Sequence, residues 1–267
     1  MKASQSKNTF NIISGYSKAI GANSNSFQKA IVLQSAQNIK KRIHGIILRY
    51  KPGLEDVGVQ IESKNIKNLI KGYLPISVLG APYGAPSFHI FPFFGRKPMI
   101  EGKEVVEIKL QTQGTAISSK DVSASLLVEE IVEDDPEQYK KNPFYLLAGT
   151  SDTVAINKDE VTAIILANDF SSDVKIHGWV TRYKTGLDDV LIDLYSASLA
   201  RTGGIIEGDM TLALAGSRFD SPCFDHFPLP GKKPILGLND QIEVLLSTNS
   251  TAVGAREVGI ALIVEGQ

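Results

Sequence analysis

The chain has 267 residues, of which 21% are charged and 43% hydrophobic, and its formal net charge is -1. This near-neutral balance gives no whole-molecule argument for binding nucleic acid, membranes or acidic substrates. The single cysteine, Cys223, excludes an internal disulfide, and the polar start Met1–Asn8 lacks the apolar core of a secretory signal. No apolar run reaches the ~20 residues of a membrane-spanning helix, so we expect a soluble protein. The length leaves room for two domains of roughly 130 residues.

Short apolar segments separated by Gly, Pro, Asn and Ser turns fill the first half of the chain, which is typical of β-structure. Asn65–Ile70 is the one segment with apolar residues at helical spacing, and Gly72 would end that helix. Pro75 favours an edge position for the strand that contains it. A short apolar stretch follows the polar start at Thr9–Ile13. Strands are predicted at Ala30–Leu33, Ile43–Tyr50, Val57–Ile61, Leu74–Leu79, Val106–Leu110 and Val122–Val128.

The second half of the chain repeats the first. Ile43–Val57 returns as Ile176–Val190, and ten of the fifteen aligned positions are identical. A second block, Phe91–Thr112, returns as Phe227–Thr248, with the offset increased by three residues. Similarity at a fixed spacing is the mark of a tandem duplication, so the same supersecondary unit is predicted twice.

About eight short strands per copy predict an all-β fold, built as two tandem eight-stranded antiparallel β-sandwiches, a double jelly roll. An immunoglobulin-like sandwich has a similar strand count, but the sequence lacks its Cys-Trp-Cys arrangement. The acidic and then basic segment Glu129–Pro143 is the natural boundary. We therefore predict a first jelly-roll domain over residues 1–135 and a second, homologous one over residues 143–267.

Several polar residues recur in both copies, and recurrence favours a structural role because a catalytic site duplicated in both halves is rare. His44 and His177 have no second histidine or carboxylate at metal-ligand spacing. The acidic pairs at turns supply too few oxygens for a calcium site. The recurring residues are Arg49, Tyr50, Lys51, Glu55 and Asp56 in the first copy, and Arg182, Tyr183, Lys184, Asp188 and Asp189 in the second.

The nearest approach to a nucleophile cluster is Cys223–His226, in which adjacent residues on a strand face opposite ways. No phosphate loop, HExxH, GxSxG or CxxC pattern is present. The twin basic loops Arg96–Pro98 and Lys232–Pro234 are interpreted as solvated turns, with contact to lipid or nucleic acid left open. The chain is therefore predicted not to be an enzyme, with no catalytic, cofactor-binding or metal-binding residue.

The paired blocks Ile43–Val57 and Ile176–Val190, the paired blocks Phe91–Thr112 and Phe227–Thr248, and the matching last strands resemble the double jelly-roll major capsid proteins of membrane-containing icosahedral viruses and phages. The resemblance implies homotrimers of pseudo-hexagonal outline that tile a shell. It also implies a location in the virion, lateral contacts with other capsid trimers, and contacts with minor capsid proteins and an inner membrane. It implies no cofactor and no specific recognition of nucleic acid. The family usually carries large loop insertions, whereas the loops here are short.

Two other functions fit a tandem β-sandwich. A phage tail or baseplate protein, or a carbohydrate-binding pair, would place exposed aromatic side chains in one concave patch. A jelly-roll enzyme such as a cupin or a duplicated hydrolase would need a histidine and carboxylate cluster inside a barrel, which the four histidines do not supply. The aromatic residues considered for the binding patch are scattered in sequence: Tyr16, Tyr73, Tyr83, Tyr139 and Trp179.

Overall fold

The computed structural model describes residues 9–85, 90–131, 143–200, 205–206, 209–221 and 226–267. Almost all of the regular structure in these residues is β-strand, with three helices of four residues each. None of the helices in the described ranges has the length and apolar character needed to cross a membrane.

The first repeat contains ten strands and one short helix within its described residues. The strands are β1 (Phe10–Tyr16), β2 (Gln28–Gln34), β3 (Lys41–Tyr50), β4 (Gly58–Glu62), β5 (Ile70–Gly72), β6 (Gly80–Pro82), β7 (Phe91–Pro92), β8 (Met99–Ile100), β9 (Val105–Gln111) and β10 (Val122–Glu130), and the helix is α1 (Ile76–Leu79). Several of these strands are only two or three residues long, and some of them share one place in a sheet.

The second repeat follows the same plan. Its strands are β11 (Phe144–Thr150), β12 (Lys158–Ala167), β13 (Val174–Tyr183), β14 (Leu191–Tyr195), β15 (Met210–Thr211), β16 (Ser217–Arg218), β17 (His226–Pro228), β18 (Ile235–Leu236), β19 (Gln241–Thr248) and β20 (Val258–Gly266). Its helices are α2 (Ala197–Ala200) and α3 (Leu212–Ala215).

The strand order is the same in both repeats. One sheet runs β1-β10-β3-β6 in the first repeat and β11-β20-β13-β16 in the second. The facing sheet runs β2-β9-β4 in the first repeat and β12-β19-β14-β15 in the second. In each case the first strand lies beside the last, and the second lies beside the next-to-last. This is the jelly-roll arrangement of two packed sheets, and it confirms the predicted fold class.

One strand position of each jelly roll is divided into short pieces. β6, β7 and β8 all pair with β3, and β16, β17 and β18 all pair with β13. Three short strands on one long neighbour explain why the strand count exceeds the predicted eight per repeat.

Alternating side chains fill the space between the two sheets of each repeat. Val106, Ile108 and Leu110 of β9 are buried and belong to the first core, as the sequence alternation predicts. In the second core Trp179 is buried, its ring stacks on Phe227 with 4.4 Å between centroids, and its Nε1–H donates to the carbonyl of Ala215 at 3.2 Å. Each repeat therefore buries its own core.

The helix predicted at Asn65–Ile70 is wrong. The segment is irregular, Asn68 has a left-handed backbone with φ of 55°, and Ile70 begins β5. Ile66, Leu69 and Ile70 are buried, so their spacing reflects burial by neighbouring elements and not one face of a helix.

The strand predicted at Leu74–Leu79 is also wrong, because Ile76–Leu79 form α1 after Pro75 at its N-cap. All four residues of α1 are buried. A short apolar run buried on every side carries no periodicity, so helix and strand cannot be separated from the sequence.

The two repeats share one sheet. β5 of the first repeat pairs in parallel with β11, so the sheet order reads β16-β13-β20-β11-β5. The boundary predicted between residues 135 and 143 falls mostly within residues 132–142, outside the described residues, and stays a prediction. What the described residues establish is that a strand of the first jelly roll completes the edge of a sheet of the second.

Candidate assembly surfaces

The junction between the repeats is held first by backbone pairing. Ile70 lies opposite Leu146, and the N–H of Leu146 donates to the carbonyl of Leu69 at 2.9 Å. Gly72 lies opposite Ala148 with φ of 85°, and a Cβ at Gly72 would stand 2.0 Å from the Ala148 carbonyl oxygen. Only glycine permits both this backbone conformation and this close approach.

Apolar side chains extend the junction over the outer face of the second jelly roll. A Cβ at Gly259 of β20 would lie 3.0 Å from Pro75 and 3.2 Å from Val78, so α1 packs directly on that sheet. The ring of Phe93 lies 5.4 Å from that of Phe144. As a result, outward-facing residues of the second repeat belong to the hydrophobic core of the first, namely Phe144, Leu146, Ala148, Val180, Ala261 and Ile263.

The equivalent face of the first jelly roll exposes its β1 residues to solvent. β1 corresponds to β11, since Phe10 pairs with Glu129 of β10 as Phe144 pairs with Glu265 of β20. Phe10 is 56% exposed, whereas Phe144 is 3% exposed. Ile12 and Leu146 occupy the next matching position, and there the exposed fraction is 60% for Ile12 and 0% for Leu146.

Tyr16 is also exposed on the same side of β1, and among the described residues no strand pairs with the outer edge of β1. Apolar side chains exposed along one strand face are typical of a surface that contacts another protein. This face of the first jelly roll is the candidate functional site.

The two duplicated histidines make the same contact in each repeat. His44 Nε2 lies 2.8 Å from a Glu129 carboxylate oxygen, and His177 Nε2 lies 2.7 Å from Glu265. Each pair joins the third strand of a jelly roll to its last strand. Because the same contact joins neighbouring strands of one sheet in both copies, we interpret it as structural.

Arg49 and Tyr50 end β3, and Arg182 and Tyr183 end β13. The two arginines donate hydrogen bonds to loops that come later in the chain. Arg49 donates to the carbonyl of Pro82 at 3.1 Å, and Arg182 donates to the carbonyls of Phe219 at 2.9 Å and Ser221 at 3.1 Å. Burial raises the pKa of Tyr50 far above its ordinary value. The Tyr50 hydroxyl and the Arg182 guanidinium both donate to the carbonyl of Phe219, so these groups hold loops in place.

The acidic pairs do not converge on a cation site. Asp188 accepts two hydrogen bonds from the Arg218 guanidinium, at 2.7 and 2.8 Å, and one from the Tyr183 hydroxyl at 3.1 Å. These bonds, the arginine's above all, lower the pKa of Asp188. Glu55 accepts from the N–H of Gly53 at 3.0 Å, as a turn residue does. Within the described ranges, no three His, Cys, Asp or Glu side chains are grouped so as to hold a metal ion.

The two basic loops differ in their surroundings. Arg96 and Lys97 line a cleft of about 480 Å³ at the junction of the repeats, together with Lys40, Lys67 and Glu101. In the second repeat, the Lys233 ammonium donates to the carbonyl of Leu229. Lys233 therefore binds within its own repeat, whereas Arg96 and Lys97 line a cleft between the repeats.

Of the segment Cys223–His226, all residues but His226 lie outside the described residues. The His226 ring is partly buried, and its pKa is lowered by that burial, by Lys233 and by His177. Its Nε2 is buried without a hydrogen-bond partner in the described part of the chain.

The aromatic residues considered for a carbohydrate patch do not form one among the described residues. Trp179 is buried in the second core, and the Tyr73 hydroxyl donates to the Asp56 carbonyl. Tyr16 and Tyr83 are exposed, and Tyr139 lies outside the described residues.

The sequence did not single out Phe10 and Ile12 of the candidate site, which there form only part of a short apolar stretch. A signal was present. Extending the repeat alignment to the first strand sets Phe10 and Ile12 against Phe144 and Leu146. What the alignment alone cannot give is the difference in their exposure.

No protein-family model matches the chain. No curated protein matches it significantly. Among solved structures, the crystal structure of the STIV MCP is similar, with 10% sequence identity, 95% of this chain and 96% of that chain covered, and a TM-score of 0.40. A second is the VP16-VP17 complex, of the two major capsid proteins of bacteriophage P23-77, with 10% identity, coverage of 98% and 99%, and a TM-score of 0.18. The jelly-roll assignment itself depends on the strand order of this chain.

Proposed function

We propose that the chain is a viral structural protein, the major capsid protein of an icosahedral particle, and that three copies form a capsomer of pseudo-hexagonal outline. The observation that carries this proposal is that two equivalent surfaces differ in burial. The outer face of the second jelly roll is covered by the first repeat, whereas the same face of the first jelly roll exposes Phe10 and Ile12. A chain built this way is suited to packing against copies of itself.

The finer parts of the proposal follow from this role. Lateral contacts between capsomers tile the shell, with minor capsid proteins and an inner membrane as further partners, so the protein is located in the virion. The polar groups described above bind loops and neighbouring strands, which suits a structural protein and not an enzyme. The cleft lined by Arg96, Lys97 and Lys67 is a candidate contact for phosphate groups of lipid or nucleic acid.

The test is the oligomeric state of the purified full-length chain. We expect light scattering after size exclusion to give three times the chain mass at micromolar concentration. Negative-stain electron microscopy should show particles of hexagonal outline. A monomer at all concentrations up to the micromolar range would contradict the proposal.

The alternative function, a carbohydrate-binding or baseplate module, has a separate test. Binding of the monomeric chain to a glycan array would support it. The described residues offer no aromatic patch that favours it, so an array without hits is the expected result.

A further inference from the structure

We propose that β1 of one copy accepts Ile205, Ile206 and α3 from the second repeat of another copy, and that this contact reproduces between chains the junction that β5 and α1 make within the chain. The inference specifies the contact by which the assembly under Proposed function forms. Because of the duplication, each chain holds one filled copy of the junction and the two unfilled halves of a second.

The accepting half is β1. It has the same register on β10 as β11 has on β20, so Ile12 stands where Leu146 stands. In the filled junction Leu146 is opposite Ile70 and its N–H donates to the Leu69 carbonyl. A strand edge with backbone groups available for pairing is a template for strand addition by another chain.

The donating half lies 136 positions after β5 and α1. The helix α3 corresponds to α1, since each is followed by a glycine packed against the third strand: Gly80 on Leu48, and Gly216 on Thr181. At this offset Val78 of α1 corresponds to Leu214 of α3. Val78 is 0% exposed and Leu214 is 69% exposed, so the donor face of the second repeat is as uncovered as the acceptor face of the first.

The residues preceding α3 match as well. At the same offset, Leu69 and Ile70 correspond to Ile205 and Ile206, which are half-buried. An apolar pair is thus retained at the position that supplies the carbonyl to Leu146 and the side chain opposite it. In the contact between chains, Ile206 would lie opposite Ile12, and the Ile12 N–H would donate to the Ile205 carbonyl.

Where the filled junction has alanines, the accepting sheet also has small side chains, but they are serines. Ser14 of β1 takes the place of Ala148, and Ser125 of β10 takes the place of Ala261. The Ser14 and Ser125 hydroxyls lie 2.8 Å apart and bond each other on the exposed face. Serine is nearly as small as alanine, so the sheet can be approached as closely as its counterpart and still meet water before assembly.

Because donor and acceptor are different surfaces, the contact is heterologous. Each chain uses its second repeat on one neighbour and its first repeat on the other. Such a contact produces a closed ring if its rotation closes and an open filament if it does not.

Cross-linking of mixed chains tests the contact directly. In a Cys223→Ala background, one chain carries Ile12→Cys and a second carries Ile206→Cys. We expect a disulfide-linked dimer under oxidising conditions only when the two are mixed. A chain with Ile70→Cys and Leu146→Cys serves as the geometric control, because those positions are paired within the chain.

A chain carrying both Ile12→Cys and Ile206→Cys then distinguishes this inference from the proposed capsomer. A cross-linked series that ends at three chains supports both. A series that continues past three supports the heterologous contact and contradicts the trimer. A protein that is trimeric by light scattering but gives no cross-link in the mixture would overturn the inference and leave the capsomer in place.

Substitutions give a second readout. Ile12→Asp and Leu214→Asp each place a charge in a contact that should bury an apolar side chain, so each should weaken assembly on the order of 100-fold. Ile165→Asp is the matched control, since Ile165 is similarly exposed but lies on β12 in the facing sheet. Equal assembly of the three variants and the wild type would contradict the inference. Unchanged circular dichroism would show that the monomers are folded.

Discussion

Gly53 and Gly72 both adopt a positive φ, of 93° and 85°, but their surroundings differ. A Cβ at Gly53 would meet nothing within 4 Å, whereas one at Gly72 would meet the Ala148 carbonyl oxygen at 2.0 Å. Gly72→Ala should therefore add a steric cost to the backbone cost. We expect Gly53→Ala to lower the free energy of unfolding by about 1–2 kcal/mol, and Gly72→Ala by roughly 1–3 kcal/mol more.

Urea unfolding followed by the fluorescence of Trp179, the single tryptophan, measures both variants. The comparison isolates the close approach of β5 to β11, because the backbone term is shared by the two substitutions. Equal losses for Gly53→Ala and Gly72→Ala would mean that the strands can separate at no cost.

The Asp188 carboxylate gives a pH-dependent prediction. Its pKa is lowered in the folded protein, chiefly by hydrogen bonds from Arg218, so its contribution to stability is present above its unfolded pKa and is lost as the pH falls through its folded pKa. Asp188→Asn should lower the thermal unfolding midpoint at pH 7. The difference from wild type should shrink as the pH is lowered below the ordinary range of a carboxyl group. A constant difference across this range would contradict the assignment.

Among the secondary-structure elements, α1 and α3 occupy equivalent places, but Val78 of α1 is buried and the matching Leu214 of α3 is exposed. Val78→Asp would bury a charge against β20 without a partner, and we expect it to lower the free energy of unfolding by about 4 kcal/mol or more. Leu214→Asp, the same type of change at the equivalent position, should alter monomer stability by no more than about 0.5 kcal/mol. Denaturant titration at a concentration below assembly checks both. Similar losses would show that α3 is already covered within the chain.

Some elements could be predicted from the sequence, and others could not. Strands with one buried face, such as β9, show alternation that follows directly from the pleat, and they were predicted correctly. Asn65–Ile70 and Leu74–Leu79 were not, because neighbouring elements bury their apolar residues from several sides: α1, for example, packs on β3 and β6 of its own repeat and on β13 and β20 of the other. A local pattern cannot reveal which distant element covers it.

The candidate site was hidden for a related reason. In the sequence, Phe10 and Ile12 belong to a short apolar stretch with nothing to show that they are exposed, whereas their counterparts Phe144 and Leu146 are buried. The duplication was evident from sequence, but the asymmetric use of its two copies depends on the parallel pairing of β5 with β11.

At the scale of the whole molecule, the repeats should unfold together. The first core includes Phe144, Leu146 and Ile263 of the second repeat, so unfolding either repeat exposes apolar surface of the other. Trp179 reports on the second repeat, and far-ultraviolet circular dichroism reports on both. We expect coincident urea transitions from the two probes, as for a two-state unit. Two separated transitions would show that the junction contributes little.

The pairing of β5 with β11 within one chain has a consequence for how a ring would come apart. That junction forms at an effective concentration set by the intervening polypeptide, whereas its counterpart between chains depends on the concentration of free chains. In a ring of such subunits, junctions within a chain would alternate with weaker junctions between chains. In the proposed ring, dilution would break the junctions between chains and leave the junction within each chain intact, so whole chains of two jelly rolls would be released.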